Sequence, residues 1–394
     1  MTPWGASPPV VQVVACFAII SVALSACATR VLPTDEQGTR SRADREEGIL
    51  LKRVKLYQDP RVVGYVSEVV GRLRPGGPGA VGTVKVGVIE DPTISAFVLP
   101  NGHLFVHTGL LSVLGSEAQL ATVLARELAR YDDRDASGVT PRAGRGPMVH
   151  APLSSTAAAI LGRDLSLAAA AAIGGYGAER EHAADAEGMK RLVAAGYDPR
   201  EAASIFQLLA RGGADRGPLE IFFYGNRPLM RERYESTLER LATSDSTTAG
   251  APDRVRGGDA EFEERMRPVV RDNAALDVRA GRFELARQQL DRVLTATPDD
   301  PMAQLHYGDL CRLLSQRTSN ASTRTDYTRK AMERYERAIA LDPKYAEPFR
   351  QVGLLYYEEK DMTQARRAFE AYLALAPGAA DTQRIREYLA ALRD

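Results

Sequence analysis

With 394 residues, 44% of them hydrophobic and 26% charged, the chain is long enough to bury sizeable cores and to hold two domains or more. Its 51 lysines and arginines balance 51 acidic residues, so the formal charge is zero. A nucleic-acid binder carries a basic stripe, and this balance excludes nucleic acid as an expected partner.

Residues 1–27 read as a targeting segment. The apolar run 10–24 is too short to span a bilayer comfortably, and it ends in Leu24-Ser25-Ala26-Cys27. That tetrapeptide resembles a bacterial lipobox. The resemblance implies cleavage before Cys27 and acylation of its thiol and new amine, and two or more acyl chains anchor a protein stably. Residues 1–12 hold no Lys or Arg, unlike the basic start of such leaders, so an uncleaved N-terminal anchor is the alternative. Both readings place the rest of the chain outside the cytoplasm on a membrane. Ala28 is compatible with outer-membrane sorting, so the expected location is the periplasm, lipid-anchored at the outer membrane. Cys16 lies in the apolar run and Cys27 is the lipid site, which leaves Cys311 as a lone, buried apolar residue with no disulfide partner.

After a polar tether over 28–45, residues 46–73 have helical periodicity, with Val62, Val66, Val69 and Leu73 on one face and Tyr57-Gln58-Asp59-Pro60 interrupting it. Residues 76–82 form a turn-rich break and 84–89 alternate as a strand. Two β-rich runs, 93–99 and 103–107, flank the turn Pro100-Asn101-Gly102. Ser116 with Gln119 makes a capping box that opens a helix carrying Arg126, Glu127 and Arg130. Arg126 and Arg130 are four residues apart and share one helical face, with Glu127 beside them. Residues 132–148 read as a charged loop. The alanine- and leucine-rich stretch 151–173 reads as helical, packed on the site helix or forming a mobile hairpin over it, and Arg163 with Asp164 argues against a membrane span. A further helix sets Glu181 and Asp185 on one face. The pattern is α+β.

Three landmarks carry a family resemblance. Ser95-Ala96-Phe97, Leu99-Pro100-Asn101-Gly102, Gly109-Leu110-Leu111 and Ser116-Glu117 precede Arg126-Glu127-Leu128-Ala129-Arg130; Glu181-His182-Ala183-Ala184-Asp185 follows; then come Asn226-Arg227-Pro228 and Arg233. At this spacing the chain resembles the zinc endopeptidases of the HtpX and CAAX-prenyl-endopeptidase type, metallopeptidase family forty-eight. The resemblance implies a mainly helical zincin-like domain with a small β-sheet. It implies that Glu127 stands at the catalytic glutamate, Glu181 at the third zinc ligand and Asp185 at that ligand's supporting partner. It also implies that a strand beside the cleft takes up extended substrate by strand addition, with Phe97 to Leu99, or His103 to Val106, as its counterpart. The plain alternative is that these strands cover the core.

Arg126, Arg130 and Arg227 stand where the family has histidines. A guanidinium keeps its proton and offers no lone pair, so it cannot ligate zinc. Zinc needs about three protein ligands and a water for hydrolysis, and one carboxylate does not hold it against solvent. Ordinary hydrolysis is therefore expected to fail, and no cofactor is expected. Two arginines supply the two positive charges of the ion, and an arginine–carboxylate network with Glu127, Glu181 and Asp185 is expected to keep the two helices docked. Zinc returns as a cofactor only in an alternative reading with a divergent site, for which His103, His107, His150 and His182 are the available imidazoles.

Residues 242–259 form a Ser/Thr/Gly/Pro-rich linker, which bounds a metallopeptidase-like domain over 46–241 and a repeat domain over 260–394. Val352-Gly353, Tyr356, Ala365, Phe369, Tyr372 and Pro377 fit the tetratricopeptide pattern. Tyr307-Gly308, Cys311, Ala331, Tyr335, Ala338 and Pro343 fit it with eleven extra residues near 315–326, and Ala286, Leu290, Val293 and Pro298 mark a weaker copy. Three helical pairs are expected to stack into a solenoid that takes a protein or peptide partner. The whole layout resembles periplasmic metallopeptidases of outer-membrane protein assembly and quality control. The leading reading is a tethered, non-hydrolytic binding or chaperone-like factor. The alternatives are an active zinc endopeptidase with a divergent site, and a tetratricopeptide adaptor with the peptidase-like part as scaffold.

Overall fold

The computed structural model describes residues 36–74, 84–137, 178–211, 232–233, 235–239 and 259–392. The leader with Cys27, the stretch 151–173 and Arg227 lie outside them. The chain is α+β, with a small three-stranded sheet in an otherwise helical body and a helical repeat region behind it. Among the described residues no helix is long and apolar enough to cross a membrane.

The first helix, α1 (Glu36–Leu51), covers ten of the residues expected as tether. Among its described side chains Ala43, Glu46 and Leu50 bury, a stripe too sparse to register as periodicity in so polar a segment. α2 (Pro60–Leu73) starts at Pro60 behind Asp59, whose carboxylate accepts from the Arg61 N–H, and it buries Val62, Val66, Val69 and Leu73 as the pattern requires. Strands β1 (Lys85–Ile89), β2 (Ala96–Val98) and β3 (His103–His107) pair in the order β1-β3-β2. β1 runs parallel to β3 from Lys85↔His103 to Ile89↔His107, and β2 runs antiparallel with Phe97 opposite Phe105.

That order corrects one expectation. β3 is paired on both sides, so the His103–Val106 stretch has no edge at which a peptide could add. β2 is the outer strand on its side, and on the other side the segment around Leu56 bridges Ile89 and shields β1. The period of two along β3 separates two faces. Leu104 and Val106 join the main core, while Phe105 meets Leu50, Ile89 and Leu99 beneath α1. His103 stacks on Phe105 at 4.1 Å between ring centroids, and its Nδ1 lies 2.8 Å from Glu47 of α1.

Helix α3 (Thr108–Val113) leads from β3 into α4 (Glu117–Ser137), the helix of the altered motif. α5 (Ala178–Ala194) and α6 (Arg200–Arg211) complete the body. The repeat region comprises α7 (Asp259–Arg279), α8 (Phe283–Ala296), α9 (Pro301–Arg317), α10 (Ala321–Leu341), α11 (Ala346–Glu358), α12 (Met362–Leu375) and α13 (Thr382–Ala391). The eleven extra residues form no loop: α9 and α10 have 17 and 21 residues against 13 and 14 in the next pair. Gly308 and Gly353 let paired helices close up, because a Cβ there would stand 2.4 Å from the Tyr335 ring and 2.6 Å from the Phe369 ring.

The linker does not separate two cores. Phe262, Met266, Val269, Val270, Ala274 and Val278 of α7 pack in one cluster with Tyr65, Val66, Leu110, Leu111 and Leu120 of the body. The first repeat helix thus shares a core with the body.

Candidate functional site

α4 and α5 meet face to face, and Gly188 decides how closely. A Cβ at Gly188 would lie 3.1 Å from the backbone N and Cα of Arg126, so the helices touch almost backbone to backbone at the motif. This brings Asp185, one turn before Gly188, onto the arginine face of α4.

The arrangement is an ion-pair chain. Arg126 Nη1 donates to Glu127 Oε1 at 3.1 Å, and Arg130 Nη1 donates to the same oxygen at 3.3 Å. Arg126 Nε lies 3.0 Å from Asp185 Oδ1. Arg233 then grips Asp185 with both arms of its fork, Nε to Oδ2 at 2.8 Å and Nη2 to Oδ1 at 2.6 Å. Most of this is withdrawn from solvent: Arg126 and Glu127 are 6% and 5% exposed and Arg233 only 1%, while Arg130 is half-buried. Burial alone pushes the Asp185 carboxyl up, but the charges of Arg233 and Arg126 outweigh it and hold that carboxyl below the ordinary carboxylate value. The Glu181 side chain and Arg227 are outside the described residues.

Two more polar clusters pin α4 at its ends. Near its start, Glu117 accepts from Tyr65 and Tyr197, the latter at 2.7 Å, and from Arg72 at 2.6 Å. Desolvation and Glu117 raise both tyrosine hydroxyls far above their ordinary range. Farther along, Asp132 pairs with Arg74, the C-cap of α2, at 2.9 Å and with Arg191 of α5 at 2.6 Å. Neither cluster is legible from spacing, since the partners lie 45 to 80 residues apart. Arg233 is legible as a motif position, but its bidentate hold on Asp185 depends on the fold.

The donors present do not fit zinc. At the two helix positions for imidazole ligands stand guanidiniums, which have no lone pair and are already paired with Glu127 and Asp185. Among the described residues no group of three His, Cys, Asp or Glu side chains could hold a metal ion. His103 and His107 are spent on Glu47 and Asp91 respectively, and His182 lies beside Glu232 at 3.2 Å. Glu127, whose Oε1 accepts from two arginines, is poorly placed to take a proton from water. Phe97 and Leu99 lie on or next to the outer strand β2, whereas His103 is interior to the sheet.

Comparison with known proteins bears on this geometry. Residues 76–243 match the model for Peptidase family M48, and residues 320–390 match a tetratricopeptide repeat model. The mitochondrial metalloendopeptidase OMA1 of Arabidopsis thaliana is 32% identical over 139 residues, covering 33% of this chain and 27% of that protein. A putative beta-barrel assembly-enhancing protease of Vibrio cholerae is 30% identical over 198 residues, covering 47% of this chain and 40% of that protein. The mitochondrial metalloendopeptidase OMA1 of Danio rerio is 48% identical over 44 residues, covering 11% of this chain and 9% of that protein. The chain thus spans less than half the length of these relatives.

Proposed function

Because residues 76–243 belong to peptidase family M48 and residues 320–390 are tetratricopeptide repeats, while guanidiniums fill the zinc motif, we propose that this protein holds polypeptide clients without cutting them. The observation that carries the reading is the chain Arg130–Glu127–Arg126–Asp185–Arg233, which joins the two helices that a metal bridges in a zinc peptidase of this build. By its sequence position, four residues before Asp185, Glu181 is proposed as a further carboxylate of this chain. With the helices held by charge pairs, the peptidase fold keeps its shape while lacking an ion to activate water.

The likeness to the Vibrio protease supports a role in the cell envelope, in assembly or quality control of envelope proteins. The lipobox-like Leu24-Ser25-Ala26-Cys27 fits that setting, with lipidation at Cys27 tethering the chain to a membrane on its periplasmic side. Clients are polypeptides, taken by the outer strand β2 with Phe97 and Leu99 and by the repeats.

Fluorescein-labelled casein tests the reading directly. The purified chain is expected to retain casein on size-exclusion chromatography and to release no fragments, with or without a chelator. Chelator-sensitive cleavage would show that a divergent metal site is at work.

A further inference from the structure

The sequence assigns nothing to the turn between α7 and α8, and it turns out to reach into the body's sheet. α7 ends at Gly281, whose φ of 77° is left-handed, and the Arg282 N–H then donates back to the Asp277 carbonyl at 2.9 Å. This turn fixes the direction of the Arg282 side chain. Its Nε donates to Asp277 Oδ1 at 2.7 Å, and its Nη2 donates across the seam to the carbonyl of Pro92 at 2.6 Å.

Pro92 lies in the loop that joins β1 to β2. That loop is otherwise held by the start of α3: the Gly109 N–H donates to the Asp91 carbonyl at 3.0 Å, as does the Thr108 hydroxyl at 3.0 Å. The repeat region holds those groups as well. Thr108 Oγ1 also lies 2.9 Å from Asn273 Oδ1, and Asn273 and Gln289 both donate to Asp277 Oδ2, at 3.0 and 2.9 Å. Asp277, Asn273 and Thr108 are all fully buried, so water offers no substitute partners. The loop feeding β2 is therefore clamped between α3 and one arginine of the repeats, and a guanidinium fork is the group that can serve Asp277 and the Pro92 carbonyl together.

We propose that Arg282 of the repeat region is a positioning residue for β2: it fixes the Asp91–Ser95 loop and thereby the outer strand. This rests on the reading of β2 as a client strand, and it gives the repeats a means of setting how firmly that strand is presented.

Hydrogen exchange by mass spectrometry on the full chain tests it without any client. Arg282→Lys keeps the charge beside Asp277 but loses the second arm. Amides of 95–99, including the Leu99 N–H that donates to the His103 carbonyl at 2.9 Å, are expected to exchange roughly tenfold faster, with β1 and residues 346–375 unchanged. Arg292→Lys is the control, since Arg292 ties the same seam to the Ser112 and Leu114 carbonyls, both at 3.2 Å, and has no bond to the loop. It is expected to leave 95–99 as in the parent. Unchanged exchange at 95–99 in Arg282→Lys, equal acceleration in β1, or the same acceleration in Arg292→Lys would each overturn the proposal. A failure to retain casein leaves this exchange result intact, so the two readings fall separately.

Discussion

At the scale of single residues, the site turns on what a guanidinium does where an imidazole is expected. Arg126 cannot ligate, but it can serve two carboxylates on two helices, and it does so with Glu127 and Asp185. Asp185 is the junction. Replacing it by Asn leaves Arg126 and the 1%-exposed Arg233 without their shared counter-charge, a loss that for buried pairs runs to about 3–5 kcal/mol. Urea unfolding of Asp185→Asn is expected to show a loss of that order; stability within about 1 kcal/mol of the parent would mean that the chain of pairs does not hold the helices.

Asp277 gives the opposite signature in pH. Burial raises its carboxyl to about 6, against the pull of Arg282. The unfolded carboxyl titrates near about 4. Between those values the folded state binds the extra proton, so the contribution of Asp277 to stability falls as pH rises from about 4 to 6. Asp185 has a lowered pKa, and its contribution is present above the ordinary carboxylate value and lost as pH falls through the lowered one. Urea titrations of the parent and Asp277→Asn at a series of pH values are expected to show the parent losing stability relative to the variant across that window. A pH-independent difference would contradict the assignment.

At the scale of elements, what the sequence displays is what repeats at short range. The faces of α2 and of the repeat helices follow apolar spacing, and the turn at Pro100-Asn101-Gly102 is marked by its residues, with Gly102 at a φ of 85°. The altered motif is equally plain because α4 is one continuous helix. Strand order is not legible, because nothing local tells β3 that it lies between β1 and β2. The extra residues of the second repeat extend two helices although Ser, Thr and Asn are common among them: Asn320 caps α10 by accepting from the Thr323 N–H, and Arg317 at the end of α9 stands over the Phe283 ring at 4.7 Å. α1 escapes notice for the converse reason: its partners, Asn101 and His103, are more than fifty residues away.

At the scale of the whole molecule, the seam between body and repeats changes what the repeats can be. Phe262 lies 6.3 Å from Tyr65 between ring centroids, and Arg265 stands over the same tyrosine at 4.9 Å. Tyr57 donates to Asp272 at 2.8 Å on the other flank of α7. An adaptor whose peptidase-like part is only a spacer would work with residues 260–394 alone. Cutting there exposes the apolar side of α7, a patch of the kind that drives association. That fragment is expected to self-associate on analytical ultracentrifugation where the full chain does not, whereas a stable, monomeric fragment would favour the adaptor.

If arginine–carboxylate pairs occupy the place of an ion, the protein's metal content will show it. Elemental mass spectrometry on the untagged protein, alongside Arg126→His/Arg130→His, is the measurement to make. The parent is expected to be metal-free and the double variant to hold about one zinc per chain, since its two imidazoles restore neutral ligands next to the Glu181 position. Stoichiometric zinc in the parent would contradict it, and would return the protein to the hydrolytic members of its family.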